Sequence, residues 1–147
     1  MEKRGKAEFR AIRERCGISQ QAVADHFGVQ VMTVKRWERS GDTMPPEKAW
    51  GWLDHMLLMH MSAVETALDA VDSMTEEQGR PPHHVDLLYY RSQAHYDKFG
   101  RDRGDYAIAN ARSREIAARL GARGIEARFE YPEDDEAGFQ RLANTRG

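Results

Sequence analysis

The sequence predicts a mainly α-helical fold with an N-terminal bundle of short helices, a long connecting helix and a small C-terminal α/β module. Three observations predict this class. Apolar residues recur at helical spacing through the first half of the chain, glycines interrupt that pattern near the N-terminus, and an alternating pattern occurs near the C-terminus. The chain has 147 residues, which is the size of one ordinary domain or of two very small ones.

Three short helices are predicted near the N-terminus, spanning 6–16, 20–27 and about 30–39. Gly17 ends the first helix and Gly28 ends the second, because glycine readily takes the left-handed conformation that closes a helix. Apolar residues that recur at helical spacing are expected to face a common core. They are Phe9, Ile12, Cys16, Val23, Ala24, Phe27, Val34 and Trp37.

A long helix is predicted after Pro45-Pro46, because proline lacks only a donor that the first helical turn leaves unpaired. Apolar residues recur there every three or four positions, which predicts roughly 25 to 30 helical residues with one seam. The seam is expected to pack on the C-terminal part, on its copy in another chain, or on both. We assign 1–53 to an N-terminal domain and 54–77 to the connecting helix. The seam residues are Trp50, Leu53, Leu57, His60, Val64, Leu68, Val71 and Met74.

A small α/β module is predicted over 83–131, after a linker that contains Pro81 and Pro82. Its elements are a strand, two helices and a second strand, predicted at 85–90, 92–99, 106–120 and 125–131. Apolar and charged residues alternate in the last strand, which is typical of a half-buried strand. The acidic residues that follow predict a solvated tail over 132–147. The residues expected on the buried side of the last strand are Ile125, Ala127, Phe129 and Tyr131.

The net charge of −2 conceals opposite charges in the two parts of the chain. Residues 1–41 carry nine Lys or Arg and five Asp or Glu, which is a net charge of +4. The other residues carry thirteen and nineteen, which is a net charge of −6. A basic segment on an acidic remainder is typical of a protein in which one part meets phosphate and the other meets protein or water.

Composition argues against several classes of protein. Apolar residues make up 40% of the chain and charged residues 31%, so we expect a folded core under a charged surface. We find no run of about 20 apolar residues that could cross a membrane and no apolar run typical of a secretory signal. Cys16 is the single cysteine, which rules out an internal disulfide. These features predict a cytoplasmic protein.

The most informative pattern runs from Gly17 to Gly41 and reads GISQQAVADHFGVQVMTVKRWERSG. It resembles the helix-turn-helix of the lambda-repressor/Cro-like (XRE) family of DNA-binding regulators. The resemblance covers about 6–53 and depends on several positions that match together. These positions are Ser19-Gln20, Val23-Ala24, Gly28-Val29, Thr33-Val34 and Trp37-Glu38.

The resemblance implies that the helix at about 30–39 enters the major groove of DNA, which is about 12 Å wide. Val34 and Trp37 face the core, so the other side of this helix is expected to meet the bases. Val31 and Met32 have an alternative role in core packing. The predicted base-reading residues are Gln30, Val31, Met32, Lys35 and Arg36. The predicted contacts to the DNA backbone are Ser19, Gln20, Thr33, Arg39, Ser40 and Thr43.

Three further positions bear on the stability of this region. Arg13 and Glu38 match residues that often form a partly buried ion pair in the family, so the resemblance assigns them to structure. Gln30 departs from the family pattern, in which Ser or Thr usually caps the helix.

The C-terminal region looks like the small α/β dimerisation module of some phage and bacterial regulators, including anti-CRISPR-associated autorepressors. The resemblance depends on the order of strand, helix, helix and strand, and on Arg80-Pro81, Leu87–Tyr90 and Ile108–Arg112. It implies a homodimer. One short helix reads only a few base pairs, whereas two copies read an inverted repeat. The sequence therefore predicts a dimeric transcriptional repressor of an inverted-repeat operator, with its own promoter as a candidate.

An enzyme is the first alternative, and the sequence argues against it. No phosphate-binding loop, glycine fingerprint or Ser-His-Asp arrangement is found. His83, His84 and Asp86 are close together and His55 and His60 are five residues apart, but neither spacing is typical of a zinc site. We expect no metal and no cofactor.

An antitoxin-type protein is the second alternative. Its C-terminal half would bind a partner protein, while its N-terminal half would bind DNA. The C-terminal half is acidic and rich in aromatic residues, which suits a partner surface but equally suits a core. RNA remains open as a further ligand.

Overall fold

The computed structural model describes residues 4–100 and 102–134. The fold is mainly α-helical, as predicted, and the chain divides into two compact units, 1–63 and 64–147. Its helices and strands are α1 (Lys6–Cys16), α2 (Gln20–Phe27), α3 (Val31–Glu38), α4 (Glu47–Gln78), β1 (His84–Leu88), α5 (Gln93–Phe99), α6 (Tyr106–Ala122) and β2 (Glu126–Glu130).

The core of the first unit is centred on Phe9, which is fully buried. Its ring contacts Trp37 edge-on, with 6.1 Å between centroids, and Trp50 edge-on, with 5.1 Å between centroids. The Phe9 ring therefore connects α1 to both α3 and α4. Ile12 and Phe27, which the sequence predicts as core residues, are only half-buried. The buried apolar residues of this unit are Phe9, Cys16, Ile18, Val23, Ala24, Val34, Trp37, Ala49 and Leu53.

Two glycines make the turns between the first three helices. Gly17 has φ 74° and Gly28 has φ 64°, a left-handed conformation that side chains with a Cβ rarely adopt. The bounds of α1 and α2 are those predicted, whereas α3 is one residue shorter at each end. Gln30 is the N-cap of α3 but makes no side-chain capping hydrogen bond. Because Gln30 stands where the family usually has Ser or Thr, the N-terminus of α3 lacks the usual hydroxyl cap.

The long helix α4 has 32 residues, slightly more than predicted. It contributes Leu53 to the core of the first unit and Leu68 to the core of the second. Met74, predicted as part of the apolar seam, is 38% exposed, because the core of the second unit ends near Val71. In the part of the chain that the structure describes, no helix is long and apolar enough to cross a bilayer.

The second unit is built on a parallel pair of strands. Val85 lies beside Ala127 and Leu87 beside Phe129. Parallel neighbours need a long crossover connection, and α5 and α6 provide it. The predicted order of strand, helix, helix and strand is therefore confirmed.

The side chains on the core side of β2 become more exposed toward the end of the strand. Ile125 is 7% exposed just before the strand and Ala127 is half-buried, but Phe129 is 47% and Tyr131 39% exposed. The prediction that Phe129 and Tyr131 are buried is wrong. The alternation of the strand places them correctly on the core side, but the apolar core is concentrated near the start of β2. The residues of this core are Val64, Leu68, Val71, Ile116, Leu120 and Ile125.

Side chains of α6 hold the end of β1. The buried amide of Asn110 accepts a hydrogen bond from the Tyr90 N–H at 2.9 Å and donates one to the Tyr90 carbonyl at 2.8 Å. The Ser113 hydroxyl donates to the Leu88 carbonyl at 2.9 Å. These bonds satisfy backbone groups beyond the short ladder.

Glu133, predicted to lie in the solvated tail, contacts the folded unit. The backbone N–H of Arg91 donates to Nδ1 of His95, so Nδ1 is the acceptor nitrogen of the ring and Nε2 carries the hydrogen. Nε2 donates that hydrogen to the Glu133 carboxylate at 2.8 Å. Arg91 also pairs with Glu133 at 2.9 Å. The rest of the predicted tail, from 135 onward, lies outside the described residues.

Candidate nucleic-acid interface

Helix α3 has one buried face and one exposed face. Val34 is fully buried and Trp37 is 5% exposed, and both contact the core of the first unit. Met32 is 43% exposed, and Gln30, Lys35 and Arg36 are also exposed. Val31 and Thr33 are half-buried. Four of the predicted base-reading side chains are therefore exposed to solvent, and the fifth, Val31, is partly exposed.

An ion pair joins α1 to α3. Arg13 donates from Nε and Nη2 to the Glu38 carboxylate at 2.6 and 2.8 Å, and from Nη1 to the Ile18 carbonyl at 2.9 Å. The two side chains are only 10% and 3% exposed. The predicted ion pair is therefore confirmed, and the same guanidinium also fixes the turn that leads into α2.

Lys6 holds the C-terminal end of α3, a contact that the sequence analysis missed. Its ammonium donates to the Arg36 carbonyl at 2.9 Å and to the Arg39 carbonyl at 2.8 Å. A positive charge is favourable there, because the last carbonyls of a helix have no helical partner and carry partial negative charge. Lys6 is separated from these carbonyls by 30 and 33 residues, so helical periodicity gives no signal for the contact.

The N-terminal end of α2 lies beside α3. The Ser19 hydroxyl oxygen accepts a hydrogen bond from the Ala22 N–H at 3.0 Å, and the hydroxyl can still donate to a phosphate. The Gln20 amide donates to Glu38 at 3.2 Å. Gln20 is therefore engaged with the Arg13–Glu38 pair, in addition to its predicted role at the DNA backbone.

A surface depression brings several predicted base-reading and backbone residues together. The depression also includes Arg10, which the sequence analysis did not select. Arg10 is exposed and donates to Glu14 at 2.6 Å, and this hydrogen bond raises the pKa of the guanidinium. Its place in the sequence, among the charged residues of α1, resembles that of any surface arginine. The lining residues are Arg10, Arg13, Ser19, Gln20, Met32, Lys35, Glu38 and Arg39.

Three predicted backbone contacts, Thr33, Ser40 and Thr43, lie outside this depression. Ser40 and Thr43 are exposed in the segment between α3 and α4 and do not line it. The predicted base-reading residues Gln30, Val31 and Arg36 also lie outside it. Gln30 is the exposed N-cap of α3, and Arg36 is exposed within the helix.

A comparison with family models gives a match to the helix-turn-helix description over residues 9–50. The first part of the chain is an XRE-type helix-turn-helix domain. The match falls within the 6–53 range of the predicted resemblance, and α2 and α3 are the two helices of the motif. The matched domain supports a DNA-binding regulator of the XRE kind, with double-stranded DNA as the ligand of the helix-turn-helix domain. A search of curated proteins found no significant match.

The histidines considered as metal ligands are not gathered into a site. Within residues 4–100 and 102–134, no group of three or more His, Cys, Asp or Glu side chains is placed to hold a metal ion. His84 lies 3.5 Å from Asp86, whereas His60 is buried and His55 exposed. Cys16 is buried in the core of the first unit.

Proposed function

We propose that this chain is a homodimeric transcriptional repressor that places α3 of each copy in the major groove of an inverted-repeat operator. The observation that carries the proposal is the division of α3 into a buried face and an exposed polar face. Val34 and Trp37 fix one face in the core, so Lys35 and Arg36 project from a rigid support. Its own promoter is the first candidate operator.

Base recognition in this proposal depends on the exposed residues of α3. Arg36 suits a bidentate contact with guanine, and Gln30 suits one with adenine. Met32 is exposed and can contact a thymine methyl group, while half-buried Val31 offers a smaller apolar surface. Lys35 adds positive charge on the same helix.

Phosphate contacts in this proposal flank α3 on both sides. Ser19 and Gln20 lie at the N-terminus of α2, where helical N–H groups favour an anion. Thr33, Arg39, Ser40 and Thr43 are the other proposed backbone contacts. The exposed Arg10, which lies in the same depression as Ser19 and Arg39, joins this set. These contacts set the position of the protein on the duplex but do not read its sequence.

Dimerisation is proposed because α3 is short. Its eight residues extend about 12 Å, so one copy reads only a few base pairs. Two copies read half-sites about 34 Å apart, which is one turn of the duplex. The module at 83–131 is the proposed dimer contact. Among the described residues, β1 and β2 pair only with each other, so each has an edge open to a second copy, and Phe129 is exposed on β2.

The test of DNA recognition is binding of the full chain to its own upstream DNA and to a scrambled duplex, measured by fluorescence anisotropy over a range of salt concentrations. We expect tight, sequence-dependent binding that weakens steeply with salt. Arg36→Ala should weaken binding by about 1 to 3 kcal/mol and relax the preference at one base pair.

Arg119→Ala is the matched control, because Arg119 is an exposed arginine of α6 that pairs with Glu65. If Arg36→Ala leaves affinity and base preference unchanged, α3 does not read the bases. Equal, weak binding of the wild-type protein to both duplexes would contradict an operator in this upstream region.

The test of dimerisation is light scattering after size-exclusion chromatography. We expect a homodimer for the wild-type chain and a monomer for Phe129→Glu, because a charge on an apolar contact opposes association. Arg128→Ala is the control, since it lies on the same strand but on the opposite face. A monomeric wild-type chain would favour the antitoxin alternative, in which 83–147 binds a partner protein.

A further inference from the structure

The second unit contains a pocket that the helix-turn-helix function does not use. It lies where the two parallel strands end, since Tyr89 directly follows β1 and Tyr131 directly follows β2. Tyr106, in the first turn of α6, closes another side. In parallel α/β arrangements the carboxyl ends of the strands are the usual place for a ligand, because loops and helix N-termini meet there.

Aromatic rings form much of this pocket. Tyr89 and Tyr106 are half-buried, and Tyr131 is 39% exposed. The Tyr89 ring meets Phe129 edge-on at 5.3 Å, which restricts its orientation. Rings that are held in place and partly open to solvent offer flat faces on which another planar ring can stack.

Two arginines line the same pocket, although residues 42–147 carry a net charge of −6. The Arg91 guanidinium lies 5.1 Å from the centre of the Tyr131 ring and 2.9 Å from Glu133. Arg114 donates to the Tyr89 hydroxyl at 2.7 Å. Because a guanidinium has five N–H groups, these contacts leave other donors of both arginines able to meet an anion.

One face of α6 forms a wall of the pocket. Tyr106, Asn110 and Arg114 lie four residues apart and share one face of α6. The Asn110 amide uses its donor and its acceptor on the Tyr90 backbone, which fixes that wall. The carboxylate of Asp105 accepts from the Ala107 N–H at 2.7 Å and caps α6. An anion is therefore expected on the arginines rather than on the helix end.

We propose that this tyrosine–arginine pocket binds a nucleotide, with the base against the tyrosine rings and the phosphate on Arg91 and Arg114. Guanidinium groups match phosphate through paired hydrogen bonds, and tyrosine rings stack on bases of any identity. Duplex DNA does not offer this combination, because its bases are stacked inside the helix. The ligand is either a free mononucleotide or one nucleotide of a single strand.

The experiment is isothermal titration calorimetry of the full chain with AMP, GMP, CMP and UMP, with a single-stranded RNA of about eight nucleotides, and with inorganic phosphate. We expect a nucleotide or the RNA to bind more tightly than phosphate. Arg114→Ala should weaken this binding about tenfold or more. Arg119→Ala, on the exposed side of the same helix, should leave it unchanged.

Further variants separate stacking from folding defects. Tyr106→Phe keeps the ring and should bind as the wild type does, whereas Tyr106→Leu should bind more weakly. If Arg114→Ala disturbs folding, Arg114→Lys keeps the charge but loses the planar fork, and it should still weaken binding. Circular dichroism of each variant checks that the fold is retained.

The outcomes divide clearly. Binding of free mononucleotides supports a small-molecule ligand, and binding of the RNA alone supports a single strand. The proposal is overturned if neither binds at millimolar concentration, if phosphate binds as tightly as the nucleotides, or if Arg114→Ala behaves as Arg119→Ala does. Arg36→Ala should weaken operator binding and leave nucleotide binding unchanged, so failure of the proposed repressor function is measured separately.

Discussion

Different kinds of polar contact stabilise the interior of each of the two units. In the helix-turn-helix unit, the nearly buried ion pair between Arg13 and Glu38 joins two helices and a turn. In the C-terminal unit, the neutral amide of Asn110 holds the Tyr90 backbone, and the half-buried Glu133 holds His95. A stranded buried charge costs more than a stranded neutral group. The helix-turn-helix unit should therefore be the more sensitive to loss of one polar side chain.

Tryptophan fluorescence can measure the two units separately. Trp37, Trp50 and Trp52 are the chain's three tryptophans, and all lie in the first unit. Circular dichroism at far-ultraviolet wavelengths detects the helices of both units. Urea unfolding followed by both signals therefore shows which unit a substitution destabilises.

The largest expected effect is that of Arg13→Ala. It leaves the Glu38 carboxylate buried without its cation, which should cost about 3 to 5 kcal/mol in the fluorescence-detected transition. Arg10→Ala in the same helix removes an exposed ion pair with Glu14 and should have a much smaller effect. A loss for Arg13→Ala no larger than that for Arg10→Ala would contradict the greater sensitivity of the helix-turn-helix unit.

A double substitution sharpens this prediction. Arg13→Met combined with Glu38→Leu removes both charges, so the free energy of unfolding should recover relative to Arg13→Ala. If the free energy of unfolding does not recover, the stability lost in Arg13→Ala comes from the hydrogen bond between Arg13 and the Ile18 carbonyl.

The next effect is that of Asn110→Ala in the second unit. It leaves the N–H and the carbonyl of Tyr90 without their partner, which should cost about 2 to 4 kcal/mol. The transition detected by circular dichroism should move, while the tryptophan transition stays in place. Arg119→Ala on the same helix is the control, with an expected effect within about 0.5 kcal/mol. A shift of the tryptophan transition instead would contradict the assignment of Asn110 to the second unit alone.

Gly100→Ala has a smaller expected effect. A Cβ at this position would lie 2.6 Å from the Tyr96 carbonyl oxygen and 2.9 Å from its ring, so we expect a loss of about 1 to 3 kcal/mol. Gly121→Ala is a control of opposite sign. Gly121 lies in α6 with nothing within 4 Å of the added Cβ, so alanine should stabilise the unit by about 0.5 to 1 kcal/mol. Urea unfolding measures both, and equal effects would contradict the steric explanation.

The smallest effect is the pH dependence of the contact between Glu133 and His95. The hydrogen bond from His95 lowers the pKa of Glu133 below its usual value of 4.5. Glu133 therefore contributes stability above that usual value, and the contribution disappears as the pH falls through the lowered pKa. The difference in unfolding midpoint between wild type and Glu133→Gln should be largest above the usual pKa of 4.5 and should shrink as the pH falls below it. A difference that stays constant with pH would show that this carboxylate adds no pH-dependent stability.

The helices of the first unit could be predicted well because their signals are local. Gly17 and Gly28 end helices in the left-handed conformation, and Ser19 caps the next one, so α1 and α2 have the predicted bounds. Ser92 similarly caps α5 in the second unit. The ion pair of Arg13 with Glu38 was predictable from the family resemblance. The roles of the α3 residues in DNA recognition remain predictions.

The features that could not be predicted depend on residues far apart in the sequence. Lys6 meets the end of α3 across 30 or more residues, and Gln20 turns toward Glu38 across 18. The exposure of Phe129 and Tyr131 depends on where the core of the second unit ends, which alternation along one strand does not reveal. The tyrosine–arginine pocket likewise forms only when the ends of β1 and β2 lie side by side.

The pairing of β1 with β2 has a consequence for the order of folding. His84 and Glu126 are partners across 42 residues, and both helices of the crossover lie between them. Contacts between residues so distant in the chain form slowly, because closing the loop costs entropy before any contact repays it. The short helices near the N-terminus leave the ribosome before the sheet does, and the partners of their long-range contacts, such as Trp50 for Phe9, have all been synthesised once α4 has begun. During synthesis, the helix-turn-helix unit is therefore expected to be complete before the sheet forms, and before the proposed dimer can form.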